Sequence, residues 1–184
     1  MTSNCRCGLL LLLAGCGSGF PEVTSAGRTL LVKEQIYGQA DYFCGNLANG
    51  QFEVLLTDMA LCDALKSGPT SKALHTVEEL NLRLIFPSTL TVVPKVNTFK
   101  VGTTDCSGNA APGTQATVYF SHNTAGNTSY DLNLQASSGT VSVTDYNKTA
   151  GALQGSYDVT IGSDHLVGTF DAKLCGGVVP GVGK

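Results

Sequence analysis

The sequence predicts an all-β fold, an antiparallel β-sandwich of about 8–10 strands with one short helix near residues 58–66. Apolar and polar residues alternate along several short segments, as expected of strands that bury one face. The chain has 22 glycines among 184 residues and only 14% charged residues, a composition typical of β domains with many turns. Because 42% of the residues are hydrophobic and the net charge is −3, the chain can fill a core and is not expected to be disordered.

The first residues have the order of a signal peptide. Arg6 supplies a positive charge, residues 9–14 form a short apolar run, and the small residues Ala14 and Gly15 precede Cys16. The run is far shorter than the roughly 20 residues that cross a bilayer. An ordinary secretory peptide and a buried strand are the alternatives, and a leucine run without alternation or β-branched residues argues against the strand.

The segment Leu13-Ala14-Gly15-Cys16 resembles the lipobox of bacterial lipoproteins. The resemblance implies that residues 1–15 are a lipoprotein signal peptide and that lipid on Cys16 attaches the protein to a membrane. In that family an aspartate after the cysteine retains the protein at the inner membrane, so Gly17 implies the outer membrane of the cell envelope. Residues 16–28 are then expected to be the lipidated cysteine and a flexible tether, followed by a single domain at residues 29–184.

Four segments in the body of the chain show the period-2 pattern of half-buried strands. Their apolar positions are Phe52, Val54 and Leu56; Leu80, Leu82, Leu84 and Phe86; Ala116, Val118 and Phe120; and Tyr130, Leu132, Leu134 and Ala136. One helix is predicted between the first two segments. Asp58 is its expected N-cap, residues 59–66 form two turns, and Gly68-Pro69 ends it.

The last third of the chain gives the clearest strand pattern. Three consecutive strands are expected at residues 139–146, 155–161 and 165–172. With Ser163 and Asp164 as the two loop residues of a hairpin, Tyr157 is expected opposite Phe170. The apolar residues and glycines of both hairpin strands then share one face, so a shift of one residue would destroy the agreement.

An internal echo accompanies this hairpin. A glycine, a hydroxyl residue, an aromatic residue and an aspartate follow one another at residues 155–158 and again at residues 168–171. The two aspartates, Asp158 and Asp171, could act as paired carboxylates. We expect instead that both lie on the solvated face, because consecutive hairpin strands produce such an echo without any catalytic role.

The seven cysteines divide into three groups. Cys5 and Cys7 leave with the signal peptide, and Cys16 takes the lipid. The remaining four are disulfide candidates, namely Cys44, Cys62, Cys106 and Cys175. An even count in an exported domain suggests two bridges with three connectivities, of which Cys44–Cys62 and Cys106–Cys175 are favoured. A four-cysteine zinc site is the alternative, but the four contain no C-x-x-C pair and no histidine at ligand spacing.

The sequence contains no motif that assigns a chemistry. Nucleophile elbows, zinc-protease motifs, P-loops and calcium loops are all missing. His75, His122 and His165 are scattered along the chain. We therefore predict no catalytic residue, no metal and no cofactor, and the lack of any basic cluster argues against nucleic acid as a partner.

The body of the chain resembles β-rich lipoproteins of myxobacteria. The resemblance depends on the lipobox, on Leu61-Cys62-Asp63 after a short strand, and on the run from residue 155 to 175. It covers about half of the chain and implies a location rather than an activity. The expected function is that of a membrane-anchored envelope lipoprotein, non-enzymatic, with a protein or glycan partner. An envelope hydrolase is the alternative, and it requires dispersed Asp and His residues to meet at the base of a pocket.

Overall fold

The computed structural model describes residues 21–39, 50–67, 78–86, 96–102, 115–124 and 130–175. These residues form eleven strands and one helix, so the predicted all-β class with one short helix is confirmed. The elements in chain order are β1 (Glu22–Ser25), β2 (Arg28–Leu31), β3 (Glu34–Gln39), β4 (Gly50–Thr57), α1 (Leu61–Ser67), β5 (Glu78–Phe86), β6 (Asn97–Val101), β7 (Gln115–His122), β8 (Leu132–Gln135), β9 (Ser138–Asn147), β10 (Ala152–Ile161) and β11 (Asp164–Leu174).

Eight strands close into a barrel, and the predicted sandwich is wrong. The hydrogen-bonded order is β5, β4, β3, β11, β10, β9, β6, β7, and the pairing of β7 with β5 closes the ring. β8 pairs with the part of β7 that β6 does not reach. Of the pairs within the described residues, β3 with β11 and β6 with β7 are parallel and the others antiparallel. Alternation fixes which face of a strand is buried, and it does not fix which strands become neighbours.

Apolar side chains from every strand of the ring fill the barrel interior. Leu80, Leu82 and Leu84 on β5 are each 0% exposed, as are Val118 and Phe120 on β7. An eight-stranded barrel is just wide enough for side chains to fill it. The inward faces predicted for β4, for β7 and for β5 as far as Leu84 are thus confirmed.

A hairpin of β1 and β2 lies across one end of the barrel, which we call the capped end. Val23 and Leu30 join the barrel core, and Ala26 and Gly27 form the turn with φ values of 52° and 71°. Two positive φ angles are the requirement of a type I′ hairpin turn. Residues 22–28 therefore belong to the folded domain, and the prediction of a tether extending to residue 28 is wrong.

The helix begins two residues later than expected, at Leu61 rather than at residue 59. The predicted N-cap Asp58 precedes α1, and the Cys62 amide N–H at the helix start donates to Glu34 Oε2 at 2.9 Å. Glu34 on β3, 28 residues away in the chain, thus accepts one of the amide N–H groups at the start of α1. Leu61 is 0% exposed and packs with Ile36 and Leu55 on the outside of the barrel.

The hairpin of β10 and β11 keeps its predicted faces in a different register. Gly162 and Ser163 are the loop residues, and Ile161 lies opposite Asp164. Gly162 has φ +61°, which suits the first loop position of a type II′ turn. Every pair is displaced by two residues, so the same side chains point inward but the predicted pair of Tyr157 with Phe170 is wrong.

Candidate functional site

The outer surface of the barrel differs between its two halves. On β6, β9, β10 and β11 the outward side chains are exposed or half-buried, and many end in a hydroxyl group. They alternate with core residues, so the period of the strands places them together on one side. We call this surface the hydroxyl face, and its hydroxyl residues are Thr98, Ser138, Thr140, Ser142, Ser156, Thr160 and Thr169.

Four of these residues form a row across four neighbouring strands. Thr98 lies opposite Ser142, Ser142 opposite Ser156, and Ser156 opposite Thr169. Neighbouring strands are about 4.8 Å apart, so the row presents one hydroxyl group at each such interval. The Thr98 and Ser142 hydroxyl oxygens share a hydrogen bond of 2.9 Å. The row therefore offers regularly spaced donors and acceptors without charge.

Ionisable side chains on the hydroxyl face are fewer than hydroxyl groups, and they include exposed Lys173. His165 Nε2 lies 2.7 Å from Asp158 Oδ1, and both side chains are 63% exposed. Asp171 and Lys100 are also exposed. The predicted outward position of both aspartates is confirmed. The pair of Asp158 and His165 lies open to solvent on a strand surface, which is the opposite of the buried position that the hydrolase alternative requires.

A polar cluster of three residues lies at the capped end. His122 Nδ1 is 2.9 Å from Glu78 Oε1, and Arg28 Nη1 is 3.2 Å from the same nitrogen and 3.7 Å from the same oxygen. Because a guanidinium group only donates, His122 Nδ1 either accepts from Arg28 or carries a proton and donates to Glu78. In both states the cluster connects β2 of the hairpin to β5 and β7. Sequence reasoning missed it, because the three residues are far apart in the chain.

The other half of the outer surface contains polar residues that are buried. Glu53 and Thr117 are 0% exposed and Asn81 is 2% exposed, on β4, β7 and β5 respectively. Asn81 Nδ2 donates to Glu53 Oε1 at 2.5 Å, and Arg83 Nε donates to the same oxygen at 3.2 Å. The Arg83 guanidinium also lies over the Tyr119 ring, 5.0 Å from its centre. We call these five residues the buried polar panel.

The burial of these five residues could not be predicted from the sequence, because of their spacing along the strands. Each of them alternates with a core residue and therefore resembles a solvent-facing position. A buried carboxylate is tolerated when hydrogen bonds and a cation compensate for the lost water. A second row continues the pattern, where Tyr130 Oη donates to Glu79 Oε2 at 2.8 Å and Ser121 Oγ donates to Asn133 Oδ1 at 2.9 Å. These contacts attach β8 and the residues before it to the barrel.

One disulfide lies within the described residues, and it joins Cys62 to Cys175. It connects the start of α1 to the end of β11 across a sequence separation of 113 residues, with the two Cα atoms 5.6 Å apart. The expected pairs Cys44–Cys62 and Cys106–Cys175 are therefore wrong. Cys16, Cys44, Cys106 and His75 lie outside the described residues. Lipidation of Cys16 stays a prediction.

Within the part of the chain that the structure describes, no three His, Cys, Asp or Glu side chains gather in a way that could hold a metal ion. The same residues contain no helix long and apolar enough to cross a membrane. No protein-family model, curated protein sequence or solved structure matches the chain.

Proposed function

We propose that the chain is an envelope lipoprotein, held at the outer membrane by lipid on Cys16, whose barrel is a non-enzymatic binding module for a glycan. The observation that carries the binding role is the hydroxyl face. Its side chains are exposed or half-buried and few of them are apolar, and its central row repeats a hydroxyl group on each of four strands. A polysaccharide offers hydroxyl groups at the similar interval of one sugar ring, so both partners can exchange hydrogen bonds along the row.

Two observations support the exported, anchored location. The Cys62–Cys175 disulfide suits an oxidising compartment outside the cytoplasm. The amide N–H of Val32 donates to the carbonyl of Pro21, which fixes the beginning of the described chain to the capped end. Pro21 lies five residues after Cys16 (21 − 16 = 5), and five residue steps reach at most about 17 Å. An acylated Cys16 would therefore hold the capped end close to the lipid surface.

The anchor is tested with a Cys16→Ser variant in the full chain. We expect unprocessed precursor to accumulate and incorporation of labelled palmitate to be lost, with globomycin giving the same precursor from the wild-type chain. Cys5→Ser is the matched control, since Cys5 lies in the predicted signal peptide, and it should be processed normally. A Cys16→Ser protein that is cut and released as usual would show that no lipid is attached there.

The glycan role is tested by co-sedimentation of the detergent-solubilised full chain with isolated peptidoglycan sacculi. Replacing Ser156 and Thr169 by alanine removes two neighbouring hydroxyl groups of the row, and we expect affinity to fall roughly thirtyfold at about 1 kcal/mol for each of the two hydrogen bonds. The control replaces Thr24 and Thr29, an exposed hydroxyl pair on the β1–β2 hairpin. Equal binding by the two double variants, or no sedimentation of the wild type, would contradict the glycan role and leave a protein partner.

A further inference from the structure

We propose that the free edge of β11 pairs with the same edge of a second copy of this chain, antiparallel and about a two-fold axis at Val167. The two barrels would then share one continuous outer sheet. The inference goes beyond glycan binding and does not depend on it.

Within the part of the chain that the structure describes, the backbone of β11 is paired along one side and largely unpaired along the other. β10 pairs with β11 from Asp164 to Lys173, whereas β3 pairs only with Lys173 and Leu174. Further toward the capped end, the Asp171 amide N–H donates to the Gln35 side chain instead of to a strand. Among the described residues, no strand pairs with the β3 side of residues 164–172.

Alternation identifies which backbone groups line this edge. The amide N–H groups of Asp171 and Cys175 point toward β3, so those of His165, Val167 and Thr169 point to the same side. The β1–β2 hairpin is hydrogen-bonded to β11 through the Asp164 side chain, which receives the Ser25 hydroxyl and the Ala26 amide. The five residues 165–169 follow that contact.

The side chains along the edge leave it open to another strand. His165, Val167 and Thr169 are all exposed, and Val167 is 63% exposed. Proteins usually protect a free edge with proline, lysine or a bulge. Residues 165–169 contain no proline, lysine or carboxylate, and β10 and β11 pair through them without a shift in register. An edge of this kind favours pairing with another strand.

When two copies of β11 pair antiparallel with Val167 at the centre, the residues that face each other are compatible. Val167 would lie opposite its own counterpart, and His165 opposite Thr169 of the other copy. No like charges face each other in this arrangement. Pairing of two copies also provides hydrogen-bond partners for the backbone groups of two identical edges at once. A peptide from another protein would provide them for one edge only. Five residues a side make a small interface, so we expect a weak dimer that forms mainly where copies are concentrated.

The test adds one cysteine at a time to the full chain, with the unmodified chain as background, and treats cells that express it with a short bis-maleimide cross-linker. Val167→Cys should give a cross-linked dimer, because the two thiols meet at the axis. His165→Cys alone should not, since its two copies would be four residues out of register, roughly 14 Å apart along the strands. Co-expressed His165→Cys and Thr169→Cys chains should cross-link, since these positions face each other.

Two controls keep the result interpretable. Lys173→Cys lies on the same strand, is exposed, and is six residues from the axis, so it should give no dimer. Val167→Lys places two like charges at the axis and should abolish cross-linking of a Thr169→Cys chain to a His165→Cys chain while leaving the thermal midpoint within about 2 °C. Equal cross-linking at all positions, none at Val167→Cys, or cross-links only to other proteins would overturn the proposal.

Discussion

Tyr157 lies directly opposite Gly168 in the pair of β10 and β11, and its ring occupies the space that a Cβ atom at residue 168 would need. The relation is reciprocal, because Phe170 lies opposite Gly155 and fills the corresponding space there. Each strand thus supplies one aromatic ring and one glycine, and the glycine leaves room for the ring of the other strand. This accounts for the repeated pattern at residues 155–158 and 168–171, since an antiparallel pair brings each glycine against the aromatic residue of the other copy of the pattern.

Gly168→Ala is expected to lower the free energy of unfolding by about 1–3 kcal/mol, because the added methyl group would overlap the Tyr157 ring in a filled core. Urea denaturation of the variant measures the change. Gly102→Ala is the matched control, since a Cβ there meets open space and the change should be within about 0.5 kcal/mol. If both substitutions have the same effect, the ring does not require the glycine.

Alkaline pH should destabilise the barrel through its buried tyrosines. Burial raises the pKa of Tyr157 to about 12, and burial together with Tyr146 raises the pKa of Tyr37 to about 12. A raised pKa means that the folded state favours the neutral phenol. The resulting stability is present below pH 10, the unfolded value, and is lost as pH rises through 12.

The rise of about 2 in the Tyr157 pKa corresponds to about 3 kcal/mol between the two pH limits. Tyr157→Phe removes the ionisable group, so its free energy of unfolding should fall less steeply than that of the wild type between pH 10 and 12. Urea titrations at several pH values measure both slopes. Identical slopes would show that the Tyr157 hydroxyl is not shielded from water.

Asp164 connects the β1–β2 hairpin to the barrel in a pH-dependent way. The Ala26 amide and the Ser25 hydroxyl donate to its carboxylate, and they hold its pKa below the ordinary value. A lowered pKa gives stability that is present above the unfolded value of about 3.9 and is lost as pH falls through the folded one. Because Ala26 has a positive φ of 52°, the carboxylate also holds a turn that alanine adopts reluctantly.

Asp164→Ala should therefore increase hydrogen exchange of the hairpin amides at neutral pH, and the difference from wild type should shrink as the solution is acidified. Exchange at Val23 and Leu30 reports on the cap, while exchange at Val141 and Val143 reports on the barrel wall. Asp145→Ala, an exposed carboxylate on β9, is the control. Unchanged exchange in Asp164→Ala would mean that burial of Val23 and Leu30 alone holds the cap.

The buried polar panel should respond strongly to loss of one partner. Arg83→Met removes the cation beside Glu53 Oε1 and is expected to cost about 3–5 kcal/mol, because the buried carboxylate loses its compensating charge. Adding Glu53→Gln removes that charge, so the double variant should be more stable than Arg83→Met alone. A double-mutant cycle by urea denaturation measures the coupling, and additive effects would show that the two side chains act independently.

The disulfide gives a prediction that needs no assumption about ligands. Replacing Cys62 and Cys175 by alanine should cost about 2–5 kcal/mol, in keeping with a bridge that closes a loop of 113 residues. Mass spectrometry of unreduced peptides should show Cys62 linked to Cys175. A peptide in which Cys62 is linked to Cys44 would contradict this bridge and support the pairing predicted from the sequence.

The inward faces could be predicted from sequence because they depend only on local alternation. Val54, Leu82 and Val118 each belong to a row of apolar residues that recur with a period of two along their strand. The face that such a row forms is buried whichever strands become its neighbours. The two-residue displacement of the last hairpin preserved those faces for the same reason. Its register instead follows from the backbone of Gly162 and from the fit of Tyr157 to Gly168, and both involve contacts between strands.

The neighbours of each strand could not be predicted in this way. Pairing of Leu82 with Val118 closes the barrel, yet the two residues are 36 positions apart and neither carries a local signal for the other. Cys62 and Cys175 are likewise far apart in the chain and carry no local signal for each other. A bridge from Cys44 to Cys62, which closes a short loop, is the simpler prediction from the sequence. The buried polar panel escaped for a related reason, since Glu53 becomes a core-like position only once β4, β5 and β7 are side by side.

The parallel contact of β3 with β11 joins the first strand of the ring to the last. The ring therefore cannot close until Lys173 and Leu174 reach Ile36 and Tyr37, and the bridge from Cys62 to Cys175 must wait for the same encounter. Contacts between such distant residues slow folding, because the intervening chain loses its freedom before any contact compensates. A chain that is made or released from its amino terminus onward would spend that interval with the apolar faces of β3 and β4 exposed.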